Sequence, residues 1–243
     1  MTYCAYTDLY ADPLLVEGED YGRRFRRHER FDDDELAPLD GPVKTAVIAP
    51  HGGGIETGTS ELCLAVAGYH PATLEVTPPG GVTYDYWMFE GLRSAGNAEL
   101  HVTSSDCDDG VARSLCGGAL NALALHGCTT EAAGQPEGTK MVLVGGRNQT
   151  LKQYLLEALA SNALEAVDAL GVKALNGDDA DNIANRTLLG MGGQLEVTAP
   201  LRLAMFEENT RPRRKHTTTP VFWAFVAACR AALARLEAEQ VVR

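Results

Sequence analysis

Apolar residues along the chain change their spacing several times, and each change marks a different kind of element. VKTAVIAP (43–50) is short, β-branched and apolar up to Pro50, which predicts a buried strand. His51 then falls just past the strand's carboxyl end. In TGTSELCLAVAGYH (57–70) the period lengthens. Leu62, Val66 and Tyr69 share a helical face there, and Thr57, Thr59 or Ser60 is placed to cap the start. Glu56 therefore falls at the junction of loop and helix. TYDYWMFEG (83–91) and AELHVTSS (98–105) read as further strands, and DGVARSLCGGAL (109–120) as holding a short helix. ALNALALHGC (119–128) alternates weakly and ends in His-Gly, while KMVLVGG (140–146) is the clearest strand of all. TLKQYLLEALASNALEAVDAL (150–170) has helical spacing throughout, and GGQLEVTAPLR (192–202) reads as a late strand. PVFWAFVAACRAALARLEAEQ (220–240) is a long helix opened by Pro220.

Alternating strands and helices predict an α/β fold in which helices flank a central sheet. Ligand sites in such sheets gather at the carboxyl ends of strands, where both His51 and His126 are placed. No linker, internal repeat or low-complexity run divides the sequence, so one domain over 1–243 is expected.

Composition narrows the function classes. The 243 residues are 45% hydrophobic and carry a formal charge of −12, which gives no general attraction to nucleic acid. Basic residues do cluster at Arg23, Arg24, Arg26 and Arg27, and at Arg211, Arg213, Arg214 and Lys215. Both clusters read as solvated faces or loops. The six cysteines (Cys4, Cys63, Cys107, Cys116, Cys128, Cys229) lack CxxC spacing, and Cys63 and Cys229 sit among apolar residues as reduced thiols would. MTYCAYTDLYADPLL lacks the pattern of a signal peptide, and no apolar run reaches the roughly 20 residues of a membrane span. A soluble cytoplasmic protein without nucleic-acid or membrane partners is expected, though a phage protein released by lysis has the same features.

Candidate chemistry centres on VIAPHGGGIETGTSEL (47–62), where three glycines separate His51 from the residues before Glu56. Ordering a glycine costs roughly 0.5–1 kcal/mol more than ordering an alanine, so stability does not explain three in a row. Two imidazoles and a carboxylate, here His51, His126 and Glu56, form a ligand set of hydrolytic zinc sites. The glycines would let His51 and Glu56 converge. Spacing alone leaves a second reading open, a glycine-rich turn with an exposed His and a Glu favoured by the helix dipole.

APHGGGIETGTSEL, LHVTSSDCDDG, ALHGC, DNIANR and GGQLEVTAPLR occur in the order of corresponding segments in the poly-γ-glutamate hydrolase family of phages and bacilli. The chain resembles that family over nearly its whole length. Members also carry the label phage-related replication protein, which this sequence gives no reason to follow. The resemblance implies a mixed sheet in a zinc carboxypeptidase-like fold, a bound zinc ion, and cleavage of γ-linked amides between glutamates. It matches His51, Glu56 and His126 to the ligands and Glu196 to the general base, which would move a proton between water and the leaving amine. Taken alone, Glu196 reads as an outward strand residue paired with a Lys or Arg.

Arginines are the expected anchors for substrate carboxylates. Arg186 ranks first because NR accompanies the site segments in the family; Arg202 and Arg147 follow, with Asn185 as support. His101 stands before a segment in which relatives often carry a histidine near Asp106; with an acidic residue here, a role in metal binding or proton transfer stays open beside that of a partly buried histidine at a strand end. His28, His70 and His216 read as surface or loop residues. A charge of −12 opposes a polyanionic substrate. Two rival readings therefore stay open: a metal-dependent deacylase of N-acyl amino acids, and a non-catalytic binder of an anionic polymer. Oligomeric state is not legible.

Overall fold

Successive residues of the central strands enter two different cores, and this fixes which side of the sheet carries chemistry. The computed structural model describes residues 2–28, 31–32, 37–38 and 44–240; Val43, the first residue of a predicted strand, lies outside them. The chain opens with α1 (Tyr6–Ala11), β1 (Tyr21–Arg26) and the two-residue strands β2 (Phe31–Asp32) and β3 (Ala37–Pro38). Then come β4 (Thr45–Gly53), α2 (Thr59–Val66), β5 (Asp85–Gly91), α3 (Gly110–Gly117) and β6 (Asn121–Cys128). β7 (Val142–Gly145), α4 (Gln149–Ser161) and β8 (Ala166–Asp168) follow. The last elements are β9 (Gly193–Thr198), α5 (Ala199–Ala204) and α6 (Pro220–Glu239).

Seven strands form one sheet in the order β1-β5-β4-β6-β9-β7-β8, and β2 pairs with β3 apart from it. β5, β4, β6 and β9 run parallel, β1 and β7 pair antiparallel to their neighbours β5 and β9, and β8 runs parallel to β7. The sheet is therefore mixed. Val47, Ala49, Leu123, Leu125, Leu195 and Val197 pack against α2, α4 and α6 in one core. Ile48, Trp87, Phe89, Ala122 and Ala124 pack with α1 and α3 in the other. Cover on both faces explains why these strands read as continuous apolar runs rather than alternating ones. Among the described residues no helix is long and apolar enough to cross a membrane, and all six cysteines are unpaired.

Four sequence expectations fail for local reasons, the first being the strand expected over 192–202, which ends at Thr198 where Pro200 opens α5. AELHVTSS is not a strand but two short 3₁₀ turns, Asn97–Leu100 and Ser104–Asp106. Burial of Leu100, Val102 and Ser104 imitates the strand period of two. The helix expected over 150–170 stops at Ser161, where Asn162 Nδ2 donates to the Ala158 carbonyl and Ala163 adopts a left-handed φ of 56°. None of the three expected residues caps α2, whose N-cap is Gly58. Instead Thr59 Oγ1 donates to the Glu56 carbonyl at 2.9 Å and Ser60 Oγ accepts from Gly53 N at 2.8 Å, so both hydroxyls brace the preceding loop. His28, read as a surface or loop residue, lies in the loop after β1, half-buried with Nδ1 2.8 Å from the Asp85 carboxylate.

Candidate metal centre and active-site cleft

The site begins with an irregularity in β4. Ala49 pairs with Met88 and Gly52 with Glu90, so three steps on β4 oppose two on β5. One extra residue reverses which side chains face which core, and this brings His51 onto the α3 side of the sheet. Pro50 is tolerated at the bulge because no ladder donor is required there, and its carbonyl accepts from Tyr6 Oη at 2.6 Å. Gly53 follows with φ of 65° against the backbone of Gly91, so a side chain there would be strained and crowded. The glycine run thus carries the chain over the end of β5, and Glu56 N then donates back to the His51 carbonyl at 2.9 Å.

His126, near the end of β6, is the cross-strand partner of Glu196 on β9. His51 Nδ1 lies 3.0 Å from Glu56 Oε1 and 3.0 Å from His126 Nδ1, and His126 Nδ1 lies 3.6 Å from Glu56 Oε2. Their three ligand atoms all fall within 4.8 Å of one another. Burial would raise the Glu56 carboxyl, but His51 and His126 outweigh it and hold it well below the usual carboxylate range. Burial likewise opposes charge on His126, yet Glu56 and Glu196 raise its pKa on balance.

The donor set fits a cation. His51 Nε2 is 2.7 Å from the Val102 carbonyl, which can only accept, so Nε2 carries a proton and Nδ1 is the ring nitrogen turned toward the cluster. Nδ1 faces the Glu56 carboxylate and a second imidazole nitrogen. Three acceptors thus converge in a buried place, and a single shared proton can satisfy only a pair of them. A divalent ion satisfies all three, and the mixed nitrogen–oxygen set is one that zinc takes. The outer contacts have the form that orients metal ligands: His51 on Val102 O, His126 Nε2 3.2 Å from Ser104 Oγ, and Glu56 Oε2 accepting from Gly127 N at 2.8 Å.

Glu196 stands beside this cluster and is 5% exposed. Burial pushes its carboxyl up to about 8, against the pull of His126 and with the push of Glu56. Gln194 Nε2 donates to Glu196 Oε1 at 3.0 Å, and Asn182 Nδ2 donates to Gln194 Oε1 at 2.8 Å. Glu196 is therefore held from behind by Gln194, which Asn182 holds in turn. His51, Glu56, His126 and Glu196 all line one cleft of about 560 Å³, whose far wall is residues 173–179.

A family model described as poly-gamma-glutamate hydrolase matches residues 32–228. The chain belongs to the poly-gamma-glutamate hydrolase family. It is 32% identical over 184 residues to the SPbeta prophage-derived UPF0714 protein YoqZ of Bacillus subtilis strain 168, a match covering 76% of this chain and 60% of YoqZ. The structure of a bacteriophage poly-gamma-glutamate hydrolase superposes with a TM-score of 0.78 at 28% identity, over 98% of this chain and 99% of that one. The zinc-free apo form of YndL superposes with a TM-score of 0.74 at 27% identity, over 97% and 98%. The mixed-sheet α/β architecture is thus that of the family.

The structure brings the expected ligands and Glu196 together, but places the expected substrate anchors of this hydrolase-family chain elsewhere. Arg186 does not line the cleft; its guanidinium donates to Asp181 Oδ1 at 2.9 Å and to the Asp181 carbonyl. Asn185 is buried, with Nδ2 on the carbonyls of Gly177 and Asp179 and Oδ1 accepting from Arg147 N and Gly192 N. It fixes the cleft wall rather than facing into the cleft. Arg202 is also buried, donating to the carbonyls of Val197 (3.0 Å), Thr57 (2.8 Å) and Cys128 (3.4 Å). Its guanidinium occupies the space a Cβ on Gly127 would need, which accounts for glycine after His126.

Arg202 is thus a strut between the Glu56 loop and the ends of β6 and β9. Arg202→Ala strips donors from buried carbonyls at about 1–3 kcal/mol each. Melting should fall by several degrees, at about 2–4 °C per kcal/mol for a chain of this size. Arg186→Ala breaks a surface pair and should shift stability by no more than about 0.5 kcal/mol. Equal melting temperatures for the two variants would refute the strut.

Sequence reasoning left His101 open and missed Gln194, Ser104 and the Val102 carbonyl. His101 stacks on His51 with ring centroids 3.8 Å apart and lines the cleft. Burial, aided by His51, pushes its pKa down to about 4, so it is neutral at pH 7. Asp106 is exposed and does not line the cleft. Gln194 was within reach of the sequence, since residues two apart on a strand share a face. Ser104 and the Val102 carbonyl were not, because the segment that carries them read as a strand.

Proposed function

We propose that this chain is a zinc-dependent hydrolase that cleaves γ-glutamyl amide bonds in an anionic glutamate polymer. The observation that carries the reading is the meeting of three convergent acceptors and a buried, amide-braced carboxylate in one cleft. The bacteriophage hydrolase and the zinc-free form of YndL support substrate class and metal respectively. The match spans 60% of the length of YoqZ.

His51, Glu56 and His126 would hold the ion, which supplies Lewis acidity: it polarises the amide carbonyl and makes water a stronger acid. Glu196 accepts a proton from the attacking water as the oxygen–carbon bond forms. It then delivers that proton to the departing nitrogen as the carbon–nitrogen bond breaks. A carboxyl poised near neutrality suits both transfers. Val102 O and Ser104 keep the imidazoles aimed, and Gln194 keeps Glu196 aimed.

Arg186 and Arg202 are engaged elsewhere, so the substrate carboxylate falls to Lys173 and Arg147. Lys173 lines the cleft. Arg147 is exposed in an adjoining pocket of about 230 Å³ that shares Asn176 and Asp178 with it. Its guanidinium has no hydrogen-bond or ion-pair partner among the described residues.

The test is incubation of the protein with γ-linked and α-linked polyglutamate, followed by size analysis. The γ-linked polymer should shorten, the α-linked one should not, and a chelator should stop cleavage until zinc is returned. Release of amino acids from N-acyl substrates with the polymer left intact would favour a deacylase. Binding without cleavage in the presence of zinc would favour the non-catalytic reading.

A further inference from the structure

The two basic clusters of the sequence, almost two hundred residues apart, meet in the fold. Arg24 on β1 joins Arg211, Arg214 and Lys215 around a second cleft of about 590 Å³. Arg24 lies opposite Met88 in register, and Met88 belongs to the core under α2, so the cleft opens on the α2 side. His126 and Glu196 face the α3 side. Gly53 lines the second cleft and is only two residues from His51, about 7 Å of extended chain at most.

Charge divides the two clefts. The active-site cleft sets one lysine, Lys173, against the carboxylates of Glu56, Glu196, Asp178 and Asp179. The second sets four cations against Glu61 and Glu90. Two of the cations are fixed. Arg24 grips Glu90 through two nitrogens at 2.6 and 2.9 Å. Arg214 is buried, pairs with Glu61 at 3.3 Å and donates to the Gly53 carbonyl at 3.2 Å. Arg211 and Lys215 are exposed. Arg211 uses one nitrogen on the Leu92 carbonyl, and Lys215 has no hydrogen-bond or ion-pair partner among the described residues.

We propose that this second cleft is an exosite that binds carboxylates of the glutamate polymer outside the scissile unit, with Arg211 and Lys215 as its contact groups. The proposal rests on the polymer reading above. It resolves a conflict within that reading, because a chain of charge −12 repels a polyanion unless a local basic surface collects it. The cleft's lining holds no aromatic side chain on which a base could stack, which disfavours single-stranded nucleic acid as the occupant. Its volume lies within the roughly 300–1,000 Å³ of ordinary ligand sites.

The test compares wild type with Arg211→Glu/Lys215→Glu on two substrates, long poly-γ-glutamate and a γ-linked trimer. The double variant should raise KM for the polymer by about tenfold or more with kcat kept, and leave both constants for the trimer unchanged. Wild-type KM for the polymer should rise with salt, and the variant's should rise less. Arg211→Gln/Lys215→Gln, which adds no carboxylates, should give the same pattern at smaller size and serves if the reversal fails to fold. Binding of labelled polymer to chelated protein separates this proposal from the catalytic one. If wild type binds and the variant does not, the exosite stands even where no cleavage occurs. Equal binding by both, equal effects on trimer and polymer, or equal competition by a single-stranded DNA of matched charge would overturn it.

Discussion

His51→Ala and His126→Ala should each abolish stoichiometric zinc and, with it, hydrolysis. Each change removes one of three converging acceptors, and the two that remain cannot close around an ion. The loss should exceed the roughly 10–100-fold that removal of an outer partner costs a metal site. Ser104→Ala, which takes away only the contact to His126 Nε2, should fall within that smaller range. Metal content after dialysis against a weak chelator reads the difference. Melting temperature gives an independent measure, because a ligand bound only by the folded state at 100 times its Kd adds about 2.7 kcal/mol of stability. Zinc should therefore raise the wild-type midpoint by several degrees and leave the histidine variants unmoved. Full occupancy in the double variant would sink the ligand assignment.

Why the sequence disclosed this site so unevenly follows from where each residue sits. His51 and His126 end continuous apolar strands, and strand ends are legible because period, Pro50 and the glycines all change together. Their convergence was not legible in the same way. It depends on one extra residue in β4 and on the parallel pairing of β4 with β6, which are properties of the assembled sheet. The arginines misled for the opposite reason. A guanidinium in a family motif suggests a substrate carboxylate, but motifs also record backbone carbonyls that need a donor, as Arg202 provides. Asn185 is a second case, with Nδ2 on the carbonyls of Gly177 and Asp179 and Oδ1 on the amides of Arg147 and Gly192. The basic clusters do lie largely on solvated surface, as their composition predicts, but sequence distance hid their meeting. The helix over 150–170 is overextended because Ala166, which packs against the same core as α4, falls on the helical stripe of Leu151, Leu155 and Leu159 and so continues their period past the helix.

Glu196→Gln should keep the fold and the zinc while lowering kcat by about 10²–10⁴, the usual worth of a positioned general base. That range corresponds to about 2.7–5.4 kcal/mol of barrier. The substitution is close to neutral for structure, since the new amide can present its own oxygen to Gln194 Nε2, which now donates to Glu196 Oε1 at 3.0 Å. What it removes is the ability to accept a proton from water. KM should therefore change little, because the lost interaction belongs to the transition state and not to the bound substrate. Gln194→Ala should act in the same direction but more weakly, since it frees the carboxylate without deleting it. Zinc content and melting temperature of Glu196→Gln must match wild type for the comparison to count. Turnover near the wild-type value in that loaded, folded variant would mean another group moves the proton. His101 would then be tested next: it is neutral at pH 7, stacked on His51 and open to the cleft, whereas Asp106 is exposed outside it.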